Sequence, residues 1–288
     1  MTIAELRPGG EVEGVFACTR KDRLTARNGA PYLAVELRDR TGAIHGRAFR
    51  DADFLAGQFE RGDLVAVSGR VERFRDELQV ELKSIRRAAE KVPDPSEFLP
   101  VAYRDMEELD GFLEHLVREV YDTDLRALLE SFLGDEGFRA ELRRTPCTRT
   151  GHHAYLGGLL EHTVAVGTLA LEACVLHPRL NSDVLISAAL LHDVGKLREF
   201  EFGAEISFTE AGSLVGHVAL GQQMIVERAA RLDGFPDEKL HAVLHCVLAH
   251  HGADGLPGRR VRTPEALALQ RLNALDASVK GALEHGLD

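Results

Sequence analysis

Imidazole and carboxylate side chains recur at positions that the apolar pattern of the helices assigns to the interior. In the last predicted helix, Asp276 falls between Leu272 and Val279 within a stripe of apolar residues. Val247 leads in the same way to His250. An unpaired charge in an apolar core is costly, but several polar groups are tolerated there when they share a metal ion. The candidate metal ligands are His162, His192, Asp193, His217, His250, His251 and Asp276.

Each histidine taken alone has a simpler interpretation, because a buried histidine is more often a hydrogen-bonded core residue than a ligand. His217 is the weakest member, since neighbouring apolar residues could form a stripe without it. Gly252 would end a helix there and let both His250 and His251 turn toward one metal. The joint pattern over three predicted helices predicts a metal centre.

Two residues beside the His192-Asp193 doublet suggest how a phosphate could be held. Lys196 follows at the spacing of one helical turn, so its ammonium group would share their face and neutralise a phosphate oxygen. A lysine that simply ends a helix at the surface is the alternative. Gly195 has no side chain, and we expect this to let a substrate backbone approach closely.

The first 90 residues have the pattern of short strands. Leu33, Val35 and Leu37 alternate with other residues, as do the apolar residues of 65–71 and 78–82. This period of two is typical of half-buried strands. Residues 51–59 predict a short helix between the third and fourth strands. Five strands with a helix at that place fit a small Greek-key barrel of the OB type.

The rest of the chain has a different pattern. Residues 89–104 hold three prolines among charged residues, and we interpret them as a linker. From Asp105 onward the apolar spacing is helical, and Thr263-Pro264-Glu265 has the residue types of a helix start. The predicted organisation is an OB-type barrel at 1–88, a linker at 89–104 and an all-α helical bundle at 105–288, which is an α+β multidomain fold.

Composition places the chain among ordinary globular proteins. Of its 288 residues, 44% are hydrophobic and 28% are charged, which excludes a disordered or fibrous chain. The net charge is −11, yet residues 1–90 carry 16 Lys and Arg against 15 Asp and Glu, so the acidic excess lies in the helical part. This charge balance argues against a protein that coats nucleic acid through a generally cationic surface. Because the sequence shows neither a signal peptide, a membrane-spanning run nor a paired-cysteine motif, we expect a reduced, cytoplasmic protein.

These residues resemble the motifs of the HD-domain metal-dependent phosphohydrolases. Residues 189–197 read ALLHDVGKL, and residues 151–163 read GHHAYLGGLLEHT. The second string is similar to that of the YhaM-type 3′-5′ exoribonucleases, a branch that carries an OB-type domain ahead of its HD domain. The resemblance covers nearly the whole chain.

The resemblance implies a two-metal centre in which Asp193 bridges the ions. Imidazole and carboxylate ligands together suit Mn²⁺, Fe²⁺ or Co²⁺ better than Mg²⁺, and we expect Mn²⁺. The implied reaction is attack on phosphorus by a hydroxide that bridges both ions, with catalytic help from Asp193 and Lys196. The ligands implied for the first ion are His162, His192, Asp193 and Asp276, and those for the second are Asp193, His217, His250 and His251.

His152 and His153 match the exoribonuclease branch but lie outside that ligand set. We expect them to act in catalysis by contacting the scissile phosphate or the 3′ end of the substrate. The alternative is that they are loop histidines that support the next helix. After His251 the chain lacks the Glu and the later Gly-Tyr-Pro of related cyclic-dinucleotide esterases, which argues against that activity.

The barrel would bind a single strand through exposed aromatic residues and a positive groove. We place the basic residues of 20–27 in the first long loop of the barrel. Part of the set could instead fill the barrel or form a solvated face. The candidates for nucleic-acid contact are Arg20, Lys21, Arg23, Arg27, Tyr32, Phe49, Arg73, Phe74 and Arg75, with Phe16 and Arg47 beside them.

The sequence therefore predicts a metal-dependent 3′-5′ exonuclease. Its substrate would be single-stranded RNA, with single-stranded DNA as a further candidate, and its products would be nucleoside monophosphates. Two alternatives stay open: an HD-type phosphohydrolase of free nucleotides, and a nucleic-acid-binding or sensing protein whose HD site is structural. The oligomeric state is also open, a homo-oligomer included, and no membrane partner is expected.

Overall fold

A computed structural model of the chain describes residues 1–26, 29–88, 94–252 and 260–286. These residues divide into two units. The first unit comprises Met1–Pro100 and Phe202–Ile206, and the second comprises Val101–Glu201 and Ser207–Asp288. The larger of the hydrophobic clusters lies in the second unit, and the barrel of the first has a core of its own.

The first unit contains a closed five-stranded barrel. Its strands span Glu11–Thr25 (β1), Pro31–Asp39 (β2), Gly42–Ala48 (β3), Leu64–Phe74 (β4) and Glu77–Arg87 (β5). They pair in the order β1-β2-β3-β5-β4 and close between β4 and β1, with β3 and β5 parallel and the other pairs antiparallel. Side chains alternate as predicted, so Leu33, Val35 and Leu37 of β2 are buried while the residues between them are partly exposed.

A short helix connects the third and fourth strands, as the sequence predicts. It spans Ala52–Ala56 (α1), and Leu55 and Ala56 are buried with the barrel core. Five strands in this order with one helix at this place confirm the OB-type barrel.

The basic segment predicted to be the first loop is strand. The first half of β1 pairs with β4 as far as Ala17, and the second half pairs with β2 out to Thr25. A bulge between Cys18 and Arg20 bends the strand at the point where it changes partner. Residues 20–25 therefore lie on the barrel wall, because the bulge lets one long strand serve two neighbours.

Part of the predicted linker is folded. Pro95–Glu97 forms a 3-10 turn, and the Asp94 side chain accepts a hydrogen bond from the Ser96 backbone at 3.0 Å. Phe98 and Leu99 are buried, so these residues pack rather than act as a spacer. Residues 89–93 of the predicted linker lie outside the described residues.

The second unit is a helical bundle. Its central helix α5 packs against α2, α6 and α11, which accounts for its apolar composition, although its length and composition would also allow it to cross a membrane. The helices span Met106–Arg118 (α2), Thr123–Leu133 (α3), Glu136–Leu142 (α4), Gly158–Leu176 (α5), Ser182–Leu191 (α6), Lys196–Glu199 (α7), Glu210–Val215 (α8), His217–Ala229 (α9), Asp237–Ala249 (α10) and Pro264–His285 (α11).

Side chains cap several of these helices. Asp105, Asp122 and Asp135 each accept hydrogen bonds from two backbone N–H groups at the start of α2, α3 and α4. Thr263 caps α11 through Ala266 N, with proline in the first turn as the sequence predicts. Each such cap stabilises the fold by about 1 kcal/mol.

A small two-stranded sheet, which the sequence pattern did not predict, follows α7. It consists of Phe200–Phe202 (β6) and Ile206–Phe208 (β7). The alternation of aromatic and polar residues on both sides of Gly203 accounts for the hairpin.

The predicted apolar stripe of α11 stops halfway along the helix. Leu269 is fully buried, whereas Val279 and Leu283 are exposed. The inward face continues with polar side chains, because Asp276 and Lys280 bond to residues of α5. The inward position of Asp276 thus depends on polar partners and not on an apolar stripe.

Candidate metal centre

Helix ends position three of the candidate histidines. His192 and His250 directly follow the last residues of α6 and α10, and His217 is the first residue of α9. His162 lies one turn inside α5, and Asp276 lies in the middle of α11. Five helices far apart in sequence therefore contribute to one place in the second unit.

Asp193 is the centre of this place, and its Oδ2 atom faces a first imidazole cluster. His162 Nε2 lies 3.5 Å from Oδ2, and His192 Nε2 lies 3.3 Å from it. The two Nε2 atoms are 3.2 Å apart. Asp193 is 2% exposed and both histidines are fully buried. We call Asp193 Oδ2, His162 and His192 the first cluster.

The Oδ1 atom of Asp193 faces a second imidazole cluster. His217 Nε2 and His250 Nε2 each lie 3.5 Å from Oδ1. His251 Nε2 lies 3.0 Å from His217 Nε2, and the ligand atoms of all four residues lie within 4.8 Å of one another. We call Asp193 Oδ1, His217, His250 and His251 the second cluster.

Hydrogen bonds at the Nδ1 atoms orient these rings. His192 Nδ1 donates to Ala189 O at 2.8 Å, and His250 Nδ1 donates to Val247 O at 2.5 Å. Both carbonyls can only accept, so the proton is on Nδ1 and the Nε2 lone pair points at Asp193. This is the arrangement that metal-binding histidines require.

The donor set fits divalent cations. Asp193 Oδ1 and His250 Nε2 are buried and have no hydrogen-bond partner among the described residues. In the first cluster, the Nε2 atoms of His162 and His192 face each other although the His192 lone pair points inward. Two acceptor nitrogens that face each other, and buried polar atoms without a hydrogen-bond partner, destabilise a fold unless a cation lies between them. Either cluster would satisfy these atoms by binding a metal ion.

Asp276 reaches this centre from the other side of His162. Its Oδ2 atom lies 2.6 Å from His162 Nδ1 and 3.1 Å from His153 Nε2. Among the described residues, Asp276 forms a potential metal-ligand group with His153 and His162. His162 also forms one with His192 and Asp193, and Asp276 does not belong to that group. In this arrangement Asp276 fixes the orientation of His162, and its direct coordination of an ion stays a prediction.

Lys196 is a buried residue of this centre, which excludes the surface-lysine alternative. Its Nζ atom lies 2.7 Å from Asp193 Oδ2, and the residue is 6% exposed. Burial lowers the pKa of the ammonium group, but Asp193 raises it by more, so Lys196 is charged at neutral pH. The lysine thus places a positive charge beside the bridging carboxylate.

The charge state of the ligands suits metal binding at neutral pH. Burial lowers the pKa of His162 to about 4 and also lowers the pKa of His250, so both rings are neutral. Burial raises the pKa of the Asp193 carboxyl, but His192 and Lys196 lower it by more, and the result is well below the usual range. The site therefore offers neutral imidazoles and an ionised carboxylate, which are the ligand forms that bind metals.

Gly195 serves packing rather than substrate access. A Cβ atom at Gly195 would lie 1.9 Å from His217 O and 2.4 Å from Gly221 N. The missing side chain is needed because the start of α9 touches the backbone here. The prediction that it admits a substrate backbone is therefore wrong: the space belongs to the helix that carries His217.

Comparisons with known proteins agree with this geometry. Residues 159–278 match the family described as "HD domain", and residues 10–88 match the family described as "OB-fold nucleic acid binding domain". The protein named 3′-5′ exoribonuclease YhaM of Bacillus pumilus is 29% identical over 90% of this chain and 83% of its own length. The YhaM protein of Halalkalibacterium halodurans is 28% identical over 94% of this chain and 84% of its own length.

The chain is thus similar to YhaM proteins over most of its length, and its residues 159–278 match an HD domain. This relationship supports a metal-dependent hydrolase and confirms the family resemblance. Among solved structures, a small single-stranded DNA-binding protein from Streptomyces coelicolor shares 18% identity with a TM-score of 0.25, covering 29% of this chain and 96% of its own. A similarity of that size supports no conclusion about function.

The two histidines that precede the HD domain have different surroundings. His153 is 1% exposed, and its ring bonds to Asp276 and to the Tyr155 hydroxyl at 2.8 Å. His152 is half-buried, with its ring centroid 5.4 Å from that of His162. The structure thus favours a supporting role for His153, because both of its ring nitrogens already form hydrogen bonds. Contact of His152 with substrate stays a prediction.

Glu199 is a residue of this site that the sequence reasoning missed. It is 6% exposed at the end of α7, and its Oε1 atom accepts hydrogen bonds from both His217 N at 2.9 Å and His217 Nδ1 at 3.0 Å. The carboxylate therefore leaves His217 Nε2 free for the second cluster. Glu199 follows Asp193 by six residues, a spacing that does not place both on one helix face, so the sequence carried no signal for it.

A second missed group supports the first cluster. Glu161 precedes His162 and is buried, with Oε2 accepting from the Tyr155 hydroxyl at 2.9 Å and Oε1 from Lys280 Nζ at 2.9 Å. The lysine compensates the buried charge of Glu161. Through Tyr155, the network reaches His153 and so fixes the loop that approaches Asp276.

The barrel places some of its candidate residues where they cannot meet a strand. Phe16 is 1% exposed and belongs to the core, because a closed barrel needs large side chains to fill it. Lys21 Nζ donates hydrogen bonds to Phe59 O at 2.5 Å and to Glu60 Oε2 at 2.9 Å, so its ammonium group is already paired within the barrel. Arg27 lies outside the described residues.

Other barrel candidates are exposed or half-buried, and their side chains contact one another. Tyr32 and Phe49 stack with ring centroids 5.4 Å apart. The guanidinium groups of Arg47 and Arg75 lie 5.2 and 5.3 Å from the ring centre of Phe74. The remaining candidates are exposed as well, with ion pairs from two of them to neighbouring acids, and these are Arg20, Arg23 and Arg73.

Proposed function

We propose that this protein is a metal-dependent 3′-5′ exoribonuclease that degrades single-stranded RNA to nucleoside monophosphates, with single-stranded DNA as a second substrate. The single observation that carries the proposal is that each carboxylate oxygen of Asp193 faces its own imidazole cluster. The relatives named 3′-5′ exoribonuclease support the same direction and substrate.

Two divalent ions, Mn²⁺ by preference, would be held by the first and second clusters. Mixed imidazole and carboxylate ligands favour Mn²⁺, Fe²⁺ or Co²⁺ over Mg²⁺. When bound, such a pair supplies Lewis acidity and lowers the pKa of water enough for attack on phosphorus. Asp193 would be a ligand of both ions, because each of its oxygens faces one cluster.

The side chains around the clusters then orient and stabilise the phosphodiester. Lys196 Nζ, next to Asp193 Oδ2, would stabilise negative charge that grows on the phosphoryl oxygens. Half-buried His152, beside His162, would contact the terminal nucleotide. Glu199 and Asp276 hold two imidazoles in orientation through their Nδ1 atoms.

The barrel would hold the strand that the HD domain shortens. Stacked Tyr32 and Phe49 offer an aromatic face to unpaired bases, and Arg47 and Arg75 over Phe74 add positive charge. Stacking of bases on aromatic side chains is sequence-tolerant, which suits an exonuclease. A phosphohydrolase of free nucleotides would not need this surface.

The test is hydrolysis of a 5′-labelled oligoribonucleotide with Mn²⁺ by the purified full chain. We expect a ladder of shortened 5′-labelled products, nucleoside monophosphates as the released product, and no activity in Asp193→Ala. Free nucleotides in parallel reactions should remain intact. A strand that stays intact under all divalent metals, or that is shortened equally by Asp193→Ala, contradicts the proposal.

A further inference from the structure

A cysteine and two histidines form a separate ligand group beside the first cluster. The ligand atoms of Cys147, His152 and His162 lie within 4.8 Å of one another, and Cys147 Sγ is 3.9 Å from His152 Nε2. In a tetrahedral zinc site, sulfur and nitrogen ligands at their usual bond lengths are about 3.5 Å apart. Small side-chain rotations would therefore bring these donors onto one ion.

This group differs chemically from the two clusters at Asp193. It offers sulfur and imidazole, whereas the clusters offer imidazole and carboxylate. Thiolate ligands select zinc and other thiophilic ions, and Mn²⁺ binds them poorly. Within the part of the chain that the structure describes, no other cysteine belongs to such a group.

The surroundings of Cys147 support a thiolate once an ion is present. Cys147 is fully buried, and Lys196 Nζ lies 3.4 Å from its sulfur. Burial raises the pKa of the Cys147 thiol to about 12, and the ammonium group offsets this only in part, so the sulfur becomes a thiolate only when a metal binds. The thiol proton leaves to solvent when the metal–sulfur bond forms, as it does in other thiolate sites. Half-buried His152 gives the group a side that solvent can reach.

His162 links this group to the metal centre. Its Nδ1 atom is engaged by Asp276 at 2.6 Å, so Nε2 is the nitrogen left for a metal. The same Nε2 faces Asp193 and His192 in the first cluster. One lone pair cannot serve two ions, so occupancy of the two sites is mutually exclusive.

We propose that Cys147, His152 and His162 form an inhibitory site for a thiophilic divalent ion, zinc by preference, which withdraws His162 from the first cluster when it binds. The inhibitory consequence rests on the proposed hydrolytic function, whereas binding of the ion does not. The chain would then be active with Mn²⁺ and inhibited by zinc that Cys147, a residue outside both clusters, holds against His162.

The binding test uses Co²⁺ as a spectroscopic substitute for zinc on the metal-free full chain. Thiolate-bound Co²⁺ gives a charge-transfer absorption in the near ultraviolet, which imidazole and carboxylate ligands alone do not give. We expect this band in the wild type, its loss in Cys147→Ala, and its retention in Cys246→Ala, since Cys246 is equally buried but outside any ligand group. Zinc should bleach the band, and excess Mn²⁺ should reduce it.

A second variant and an activity measurement complete the test. His152→Ala keeps the buried sulfur and should weaken Co²⁺ binding at this site at least tenfold, so the proposal stays testable if Cys147→Ala does not fold. In Mn²⁺-dependent hydrolysis, Cys147→Ala should need at least tenfold more zinc for half-inhibition than the wild type.

Four results would overturn the proposal: a wild type without the band, a band that survives in Cys147→Ala, a band that excess Mn²⁺ leaves unchanged, or equal zinc inhibition of both proteins. If no hydrolysis occurs in any protein, the proposed function fails, and the spectra still decide whether the ion binds.

Discussion

At the scale of single residues, the candidate metal centre depends on groups outside the first and second clusters. Glu199 bonds to His217, Asp276 bonds to His162, and backbone carbonyls bond to the other oriented rings. Such partners fix both the ring orientation and the protonated nitrogen, so that Nε2 faces the metal. Removal of such a side chain should weaken metal binding without changing a residue of either cluster.

Glu199→Gln should weaken metal binding at the second cluster. The neutral amide holds His217 less firmly and makes its imidazole a weaker donor, so we expect about a 10- to 100-fold loss of affinity for the ion of the second cluster. Calorimetric titration of the metal-free protein with Mn²⁺ measures this. Glu201→Gln is the matched control, because Glu201 is exposed on the adjoining strand. Equal Mn²⁺ isotherms for both variants would show that Glu199 does not position His217.

At the scale of elements, the second cluster depends on how closely α9 approaches the turn after Asp193. Gly195 and Gly221 face each other across this contact, and either side chain would separate the two segments. Since His217 begins α9, the distance between the elements sets the distance from His217 to Asp193. Glycine at this place therefore acts on the metal site through packing.

Gly195→Ala should both destabilise the fold and weaken the second metal site. The added methyl group would overlap His217 O and Gly221 N, and such overpacking costs about 1–3 kcal/mol. Urea denaturation with and without Mn²⁺ measures the loss. Gly111→Ala is the control: Gly111 lies in α2 with nothing within 4 Å, so alanine should stabilise by about 1 kcal/mol. A Gly195→Ala protein as stable as wild type would refute the close contact.

At the scale of the whole molecule, the proposed function assigns strand binding to the first unit and hydrolysis to the second. The HD domain carries the clustered ligands, and the barrel carries exposed aromatic and basic side chains. The acidic excess of the chain lies outside the first 90 residues, so the barrel is the part of the chain better suited to meet a phosphate backbone. Binding and hydrolysis should accordingly respond to different substitutions.

Phe49→Ala should separate strand binding from chemistry. Loss of one stacking face costs about 1–3 kcal/mol per base, so the Kd for a long oligoribonucleotide should rise at least about fivefold. Turnover of a small diester such as bis(p-nitrophenyl) phosphate should not change. Phe54→Ala is the control, because Phe54 is 68% exposed on α1 and has no aromatic neighbour within the described residues. If both variants bind RNA alike, the stacked pair is not the binding surface.

The metal-free protein should lose stability at mildly acidic pH. Burial lowers the pKa of His162 from 6.5 to about 4 and also lowers that of His250, so below pH 6.5 the unfolded chain binds more protons than the folded one. Stability present above pH 6.5 is therefore lost as pH falls toward 4. Thermal unfolding in chelator across this window should show a falling Tm. His241→Gln, at an exposed histidine, should leave the profile unchanged. A Tm that stays level from pH 6.5 to 4 would exclude the effect.

The barrel, the helical bundle and the set of residues that meet around Asp193 were all predictable from the sequence. Strand alternation, turn residues and helical spacing are local properties of the sequence, so they predict the elements. The motif strings that resemble the HD family contain several of the candidate ligands. The family resemblance extended this reading to both domains. The expected role of Gly195 and the apolar stripe through Val279 failed, because each depends on which neighbour occupies the adjoining space.

Which atoms of those residues face one another could be seen only in the folded chain. Which ring nitrogen of a histidine carries the proton depends on the acceptor beside it. For His250 this acceptor is the Val247 carbonyl in the same helical turn, and for His162 it is the Asp276 carboxylate on a distant helix. The placement of Glu199 under His217 and of Cys147 beside His152 likewise joins segments that no sequence period relates. Hydrogen bonds act over about 3 Å, and only folding brings such groups to that distance.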